Sequence, residues 1–170
     1  MQRIALLSDT HGFLDPSLFK YLETCDEIWH AGDIGTIEVC EELQKIKPLR
    51  AVYGNIDGQD IRTTYPKNLH FVSEEVSVFI THIGGYPATD KSRETYIPEV
   101  RQIIEETRPR LFICGHSHIL RVMYDKKHNL LHINPGAAGI HGFHQIKTLV
   151  RFSLDAGDIQ NLEVVELGLR

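Results

Sequence analysis

Seven side chains that could bind a metal ion follow five short hydrophobic runs of this chain. They are two aspartates, an asparagine and four histidines: Asp9, His11, Asp33, Asn55, His82, His116 and His118. Seven ligands are too many for one ion, whereas two ions would each have four protein ligands if one carboxylate bridged them. Imidazole and oxygen ligands without a thiolate favour manganese, iron, zinc, cobalt or nickel over calcium. The sequence therefore predicts two divalent metal ions of this kind.

Two neighbouring metal ions favour one class of chemistry. Such a pair clamps the attacking and the leaving oxygen of a phosphoryl transfer, and it lowers the pKa of a bound water toward about 7. The formal net charge of the chain is -5, so an anionic substrate would depend on local positive charge. Bound metal ions are the obvious source of that charge. We expect a small phosphoester as the substrate.

The spacing of the ligands indicates how the chain would present them. Side chains two apart on an extended strand point the same way, so one metal could bind both Asp9 and His11. The same argument applies to His116 and His118, although a turn there could send the two imidazoles to different metals. Asp33 and Asn55 each follow a glycine, which allows the backbone to approach closely at a strand end.

The elements that must position these ligands are predicted strands. Short apolar, β-branched runs bounded by glycine and polar residues are typical of buried strands. If such strands lie side by side, their ends cluster along one edge of a sheet, where open α/β sheets bind ligands. The five runs that precede the ligands are residues 4–7, 27–31, 49–53, 76–81 and 111–114.

The remaining elements change in character along the chain. Helices are predicted at about 15–24, 36–45 and 98–108, from capping residues, helical spacing and flanking prolines. The second half is rich in predicted strands, which indicates two packed sheets with helices outside, and residues 1–170 are expected to form a single domain. Irregular segments are predicted at 58–68, 84–92 and 136–145. The further predicted strands are residues 70–73, 120–125, 130–134, 148–154 and 159–166.

The composition argues against several other classes of function. The 170 residues are 42% hydrophobic and 24% charged, which is ordinary for a globular domain and provides no basic surface for general nucleic-acid binding. No run approaches the roughly 18 apolar residues of a membrane span, and no signal-peptide core is evident. Cys25, Cys40 and Cys114 form no disulfide framework, which indicates a reducing compartment. We expect a cytoplasmic protein without a membrane partner; its oligomeric state stays open, with a homodimer among the alternatives.

The ligand motifs resemble those of the calcineurin-like metallophosphoesterases. The motifs occur in the order Asp9-x-His11, Gly32-Asp33, Gly54-Asn55, His82 and Gly115-His116-x-His118. The length and the run Ser8-Asp9-Thr10-His11-Gly12 are similar to the small single-domain bacterial and archaeal phosphodiesterases of this family. The resemblance extends over nearly the whole chain, down to Asn134-Pro135-Gly136. It implies an α/β fold, a four-layer α/β/β/α sandwich with two mixed β-sheets flanked by helices.

The resemblance also implies a division of the ligands and a mechanism. One metal would be bound by Asp9, His11, Asp33 and His118, and the other by Asp33, Asn55, His82 and His116, so that Asp33 bridges. A hydroxide held between the ions would attack phosphorus in line, and the metals and His118 would stabilise charge on the phosphoryl oxygens. Asn55 and its backbone would orient the substrate. We therefore expect a metal-dependent phosphodiesterase with catalytic roles for Asn55 and His118.

Two positions depart from the family pattern. Many members carry a histidine after the Gly-Asn pair, where it assists the leaving group or the transition state, but this chain has Ile56. The small phosphodiesterase branch also tends to lack this histidine, so the difference leaves only the protonation of the leaving group unassigned. After His82 the branch often has Gly-His, whereas this chain has Ile83-Gly84. We expect this change to reshape the pocket while the ligand is kept.

The main alternative is a different class of function on the same fold. The fold also resembles a subunit of the retromer trafficking complex, whose metal site is degenerate and whose surface binds partners. All seven ligand positions in this chain retain competent side chains, which favours the enzyme. A metallo-β-lactamase would need H-x-H-x-D-H, but Ile119, Leu120 and Arg121 follow His118.

The other histidines are expected to have no role as ligands. His30 is predicted to pack beside the site, and His141 and His144 are predicted loop residues, either of which could reach the substrate. Asn134-Pro135-Gly136 is predicted to shape a turn beside the site. His70, His128 and His132 are expected in strands or turns.

Overall fold

The computed structural model of the chain describes residues 1–89 and 93–170 and contains two mixed β-sheets with four α-helices. A 3-10 turn at Pro16–Leu18 leads into the first helix. The elements are, in chain order, β1 (Gln2–Leu7), α1 (Phe19–Leu22), β2 (Glu27–His30), α2 (Ile37–Ile46), β3 (Leu49–Ala51), α3 (Gln59–Thr64), β4 (Asn68–Ser73), β5 (Val76–Thr81), α4 (Pro98–Thr107), β6 (Leu111–Ile113), β7 (Arg121–Asp125), β8 (Leu130–Asn134), β9 (Ile146–Asp155) and β10 (Asp158–Leu169).

Each sheet combines parallel and antiparallel pairs. The first sheet has the strand order β10-β9-β1-β2-β3, and the second has the order β4-β5-β6-β8-β7. The ligand-bearing strands of each sheet are parallel to one another: β1 pairs with β2 and β2 with β3 in the first sheet, and β5 pairs with β6 in the second. Their carboxyl ends therefore lie at the same end of each sheet.

The alternating direction of successive side chains along the central strands explains why the two sheets form the inner layers. In β1, Ile4 and Leu6 pack into the core between the two sheets, whereas Ala5 and Leu7 pack into the core beneath the first three helices. This period of two leaves both faces of the strand apolar, as a strand covered on both sides requires. Phe79 and Phe112 face a third core, beneath α4. The predicted four-layer α/β/β/α sandwich is therefore confirmed.

One expectation about the sheet is wrong. The five strands that precede the ligands do not lie side by side in one sheet, because β1, β2 and β3 belong to the first sheet and β5 and β6 to the second. Local hydrophobic patterns predict that a strand exists, but they do not specify which distant strand it pairs with. The candidate ligands consequently come from the ends of both sheets.

The bounds of some helices and irregular segments differ from the predictions. The first helical segment ends at Leu22 instead of about residue 24, and α3 lies in the segment 58–68 that was expected to be irregular. Ile61 is its single buried side chain, so the sequence has no repeated apolar stripe there. Of the predicted irregular segment 84–92, residues 90–92 lie outside the described part of the chain.

Two further findings concern the cysteines and the helices. Cys25, Cys40 and Cys114 are free and buried, each within an apolar core. Among the described residues, no helix is both long enough and apolar enough to cross a membrane.

Candidate metal centre

The loops that follow the ligand-bearing strands are held together by backbone hydrogen bonds. The Asp9 N–H donates to the Gly32 carbonyl at 3.0 Å, and the His11 N–H donates to the Asp33 carbonyl at 3.0 Å. In the second sheet, the Gly115 N–H donates to the His82 carbonyl at 2.9 Å. These bonds continue the strand pairing past the strand ends, so that the side chains are presented from a rigid frame.

Five of the seven predicted ligands have a left-handed backbone conformation. Their φ angles lie between 48° and 69°. Such a conformation costs a non-glycine residue about 1–3 kcal/mol and persists where the surroundings impose it, often at functional sites. The prediction that Asp9 and His11 share an extended strand is therefore wrong in its geometry, since β1 ends at Leu7. The five residues are Asp9, His11, Asp33, His116 and His118.

The first ligand group consists of Asp9, His11 and His118. One ligand atom from each residue lies within 4.8 Å of the ligand atoms of the other two. His118 Nε2 is 3.1 Å from Asp9 Oδ1, and His11 Nε2 is 3.3 Å from His118 Nε2. The three side chains therefore converge on a common point.

The second ligand group consists of Asp33, His82 and His116, whose ligand atoms also lie within 4.8 Å of one another. His82 Nε2 is 3.2 Å from Asp33 Oδ1. The Nδ1–H of His82 donates to the Ala31 carbonyl at 2.8 Å. Because that bond uses the proton on Nδ1, the neutral ring keeps a free electron pair on Nε2, directed at the group.

The Asp33 carboxylate lies between the two groups. Its Oδ1 is 3.2 Å from His82 Nε2 in the second group, and its Oδ2 is 3.8 Å from His11 Nε2 in the first. The two oxygens thus face different groups, which is the arrangement that a bridging carboxylate requires.

Unpartnered atoms test whether these residues fit a metal. Among the described residues, Asp9 Oδ1 and His82 Nε2 are buried and make no well-aligned hydrogen bond, although His118 Nε2 lies 3.1 Å from the first atom and Asp33 Oδ1 lies 3.2 Å from the second. A buried polar atom without a partner costs about 1–3 kcal/mol, so such atoms need an explanation. Both atoms are acceptors pointing into the groups, and a divalent cation would satisfy them. The side chains present therefore fit the predicted metals.

The negative charges of the two carboxylates also favour a bound cation. Burial opposes charge on His82, but the Asp33 and Asp9 carboxylates outweigh it and hold the pKa of His82 above its ordinary value. The Asp9 carboxylate likewise raises the pKa of His118. Burial lowers the pKa of His11 and His116, which face fewer compensating contacts. The carboxylates thus attract positive charge into the site.

Two glycines allow the loops to pack against the ligands. A Cβ atom on Gly54 would lie 2.0 Å from Asp33 Oδ1, and one on Gly115 would lie 2.0 Å from the Ser8 hydroxyl and 2.8 Å from Asp9 Oδ2. Any side chain at either position would displace a candidate ligand. The close backbone approach predicted from the Gly-Asn pair is therefore present at Gly54.

Asn55 lies on the loop that contacts Asp33. The Ile56 N–H donates to Asp33 Oδ1 at 3.1 Å, and Asn55 lines a cleft together with His82. The Ile56 side chain is 47% exposed and carries no dissociable proton. The loop therefore lies beside the second group, with an apolar residue at the position where many family members have a histidine.

Other histidines lie around the site as predicted. His30 is fully buried and accepts the Gly32 N–H on Nδ1 at 3.1 Å, while its Nε2 bonds the Thr10 hydroxyl at 3.0 Å. The ring of His141 lies 5.6 Å from that of His11, and the ring of His144 lies 5.3 Å from that of His118, measured between centroids. His30 supports the loops, and the other two flank the first group.

Three histidines lie in strands or turns outside the two ligand groups. His70 on β4 stacks on the ring of Phe79, with centroids 4.3 Å apart, and His132 is buried on β8. His128 lies in the turn between β7 and β8 and contacts Asp125. These positions agree with the prediction that the three lie in strands or turns.

Asn134 supports the loop that carries His116 and His118. Its amide nitrogen donates to the Gly115 carbonyl at 2.9 Å and to the Ser117 hydroxyl at 3.1 Å, and its carbonyl accepts the Gly136 N–H at 3.0 Å. The prediction that this segment shapes a turn beside the site agrees with these contacts.

Sequence reasoning missed two supporting residues. The buried Asp57 accepts the Gly54 N–H at 2.6 Å and the Gly35 N–H at 2.8 Å, so it joins the two loops that flank Asp33. Arg62 donates to the carbonyls of Asp57, Gly54 and Asn55 at 2.6, 3.2 and 3.0 Å. The Asp57-Gly58 pair is a turn signal that could have indicated the first residue. Nothing in the local pattern indicates the second.

The chain is similar to known phosphoesterases. Residues 2–165 match the calcineurin-like phosphoesterase superfamily domain. A relative described as a probable metallophosphoesterase, from Methanothermobacter thermautotrophicus, is 28% identical over 142 residues, which cover 79% of this chain and 76% of the relative.

Solved structures share the fold at lower sequence identity. A novel archaeal phosphodiesterase has a TM-score of 0.71 at 21% identity, with 96% of this chain and 99% of that chain covered. A single mutant of Vps29 from Entamoeba histolytica has a TM-score of 0.73 at 13% identity, with 96% of this chain and 98% of that chain covered. Wild-type Vps29 from the same organism, complexed with Zn²⁺, has a TM-score of 0.71 at 14% identity, with 98% of this chain and 99% of that chain covered. At these identities the structures establish the fold alone.

Proposed function

Because this chain belongs to the calcineurin-like phosphoesterase superfamily, we propose that it is a phosphodiesterase that uses two divalent metal ions. The family and its relatives support metal-dependent phosphoester hydrolysis. The observation that carries the two-metal proposal is the position of Asp33, whose oxygens lie 3.8 Å from His11 Nε2 and 3.2 Å from His82 Nε2. A carboxylate that faces two ligand groups is suited to bridge two ions.

The residues divide between the ions according to these groups. Asp9, His11 and His118 would hold one ion, His82, His116 and Asn55 would hold the other, and Asp33 would bind both. Two divalent ions, when bound, supply positive charge for phosphoryl oxygens and make water acidic enough to act as a nucleophile near neutral pH. The donor set contains no thiolate, which favours manganese, iron, zinc, cobalt or nickel.

Protein groups would position the substrate at this centre. His118 is partly exposed beside Asp9, so its ring can approach a phosphoryl oxygen and stabilise its charge. Asn55 lies at the edge of the cleft next to His82, where its amide and backbone can orient the substrate. Ile56 cannot donate a proton, so the leaving group would depart without help from that position.

Metal add-back tests this function directly. Metal-stripped protein would be assayed with Mn²⁺, Ni²⁺, Zn²⁺, Mg²⁺ or Fe²⁺ on aryl phosphate monoesters and diesters. We expect turnover only after a transition metal is added, with diesters preferred. The Asp125→Asn variant is a matched control, because it changes a buried aspartate that lies outside both ligand groups. Absence of turnover on every substrate with every metal would contradict the proposal.

A scaffold is the second candidate function, since the Vps29 structures share this fold. Metal binding alone does not separate the two candidates, because a Vps29 structure also contains Zn²⁺. The apolar side chains of Ile119, Ile140 and Phe143 are exposed, and they would give such a scaffold apolar contacts. Turnover by the metal-loaded protein decides between them, since a scaffold needs none.

A further inference from the structure

A cleft opens beside the second ligand group. Its volume is about 380 Å³, and both His82 and Asn55 line it. Clefts of several hundred Å³ with mainly apolar walls are typical of small-molecule sites. A phosphoester bound at the metal centre would therefore have room to place one of its arms here.

Three side chains give the cleft apolar walls. Ile83 follows His82 directly and is 38% exposed, which leaves part of its side chain available to a ligand. Tyr53 is half-buried against the core beneath the first sheet's helices, and Ile97 is half-buried against the core beneath α4. Packing on both sides keeps these walls in place, so the cleft exists before a ligand binds.

The two cations of the cleft already have partners. Arg62 donates to the carbonyls of three loop residues, and its guanidinium carbon lies 4.6 Å from the centroid of the Tyr53 ring. Lys67 Nζ is 3.1 Å from a carboxylate oxygen of Glu99. Because Arg62 directs its donors at loop carbonyls and Lys67 is paired with Glu99, the cleft is better suited to a neutral group than to a second phosphate.

We propose that this cleft binds one ester arm of the substrate, that the arm is neutral and aromatic, and that Ile83 helps to determine this specificity. The proposal rests on the proposed phosphoesterase function, because the phosphoryl group must lie at the metal centre for its arm to reach the cleft. Aromatic rings suit the walls, since Ile83 and Ile97 offer apolar contacts and Tyr53 offers its ring.

Phosphonates that cannot be hydrolysed test this specificity by binding alone. The affinities of phenylphosphonate and methylphosphonate for protein loaded with Mn²⁺ would be measured by calorimetry. We expect phenylphosphonate to bind about 10-fold more tightly, because its ring leaves water for the cleft. The Ile83→Ala variant should reduce this ratio to about 3-fold, while Leu162→Ala, a matched control with equal exposure of 38%, should keep it.

A second measurement, by NMR on the wild-type protein, locates the phenyl ring of bound phenylphosphonate. In methyl NMR spectra of the wild-type protein loaded with diamagnetic Zn²⁺, phenylphosphonate should shift the Ile83 and Ile97 methyl signals through its ring current, and methylphosphonate should not. Equal affinities for the two phosphonates, or ring-current shifts confined to other methyls, would overturn the proposal. An equal loss of both affinities in Ile83→Ala would also overturn it, because Ile83 would then act through the metal centre. Failure of both phosphonates to bind would instead count against the proposed function itself.

Discussion

Two buried aspartates in this molecule have contrasting surroundings. Asp125, the last residue of β7, accepts the N–H groups of Lys127 and His128 on Oδ1, at 3.0 and 3.2 Å. Its Oδ2 accepts the Tyr96 hydroxyl at 3.1 Å and lies 2.7 Å from His128 Nδ1. Asp9 is equally buried, and its Oδ2 accepts the His116 N–H at 3.1 Å, yet its Oδ1 makes no well-aligned hydrogen bond among the described residues.

The difference separates a structural carboxylate from a candidate ligand. Every contact of Asp125 supplies a proton to an oxygen, so the group is stable without any further partner. Asp9 and His82 instead point acceptor atoms at the same small space, and Asp9 has a left-handed backbone with φ of 56°. Burial of a carboxylate is therefore common to both regions, whereas a buried carboxylate oxygen without a hydrogen-bond donor marks the site that would accept a cation.

The largest effect is expected from the aspartate between the two ligand groups. Asp33→Asn should lower kcat/KM by about 10³-fold or more, because one substitution weakens the binding of both ions. Asp9→Asn should lower kcat/KM less, by about 10²-fold, since it removes a ligand of only one ion. Turnover and metal content measured by mass spectrometry would compare the two variants. Loss of the same single metal in both would rule out a bridging role for Asp33.

The next effect concerns the histidines that flank the first group. His144 Nε2 donates to the Gly139 carbonyl at 2.8 Å, which leaves the exposed His141 as the better proton donor. If His141 protonates the leaving group, His141→Ala should slow diesters with poor leaving groups by about 10²-fold and spare those with good ones. A series of diesters with leaving groups of different pKa would measure this dependence.

His144→Ala serves as the comparison in the same series. A steep dependence on leaving-group pKa already present in the wild-type protein would mean that no side chain acts as the acid. A flat dependence in all three proteins would show that departure of the leaving group does not limit the rate.

Acid stability is expected to depend on a buried histidine near Asp125. His132 makes no hydrogen bond through either ring nitrogen in the described part of the chain, and burial lowers its pKa to about 4. An unfolded histidine has a pKa of about 6.5, so the unfolded state binds a proton that the folded state does not. The stability due to this group is therefore present above about pH 6.5 and is lost as the pH falls toward 4.

His132→Leu should remove this part of the acid sensitivity. Between pH 7 and pH 4 the free energy of unfolding should fall by up to about 3 kcal/mol less in the variant than in the wild-type protein. Urea unfolding at several pH values would measure the difference, with the exposed His141→Ala as the control. Parallel pH profiles for the wild-type protein and His132→Leu would be inconsistent with a buried neutral ring.

The smallest effect is expected at Asp125, whose carboxylate oxygens both have hydrogen-bond donors. Asp125→Asn should lower the free energy of unfolding by about 2 kcal/mol, because the amide nitrogen cannot accept the protons that the carboxylate accepts. Turnover and metal content should remain unchanged, since Asp125 belongs to neither ligand group. The exposed Asp158→Asn is the control for stability. A large loss of metal in Asp125→Asn would remove the distinction between the two aspartates.

The sequence was informative about strands and ligand types because both are local properties. Apolar runs of four to six residues mark β1 and β5, and the ligands follow at the strand ends. The short helix α3 was missed, because a helix with one buried residue leaves no periodic signal. Asp57 was also missed, since its role depends on two loops that are distant in sequence.

The amino-acid sequence by itself determined the family resemblance, the seven candidate ligands and the presence of two layers of strands, because these depend on residue types and short-range spacing. Only the tertiary structure decided that the strand ends come from two different sheets and that Asp33 faces both groups. It also decided that five of the seven candidate ligands have a left-handed backbone conformation instead of lying on extended strands. These features arise from pairing between distant segments, whose free energy depends on packing across the whole domain and not on any local pattern.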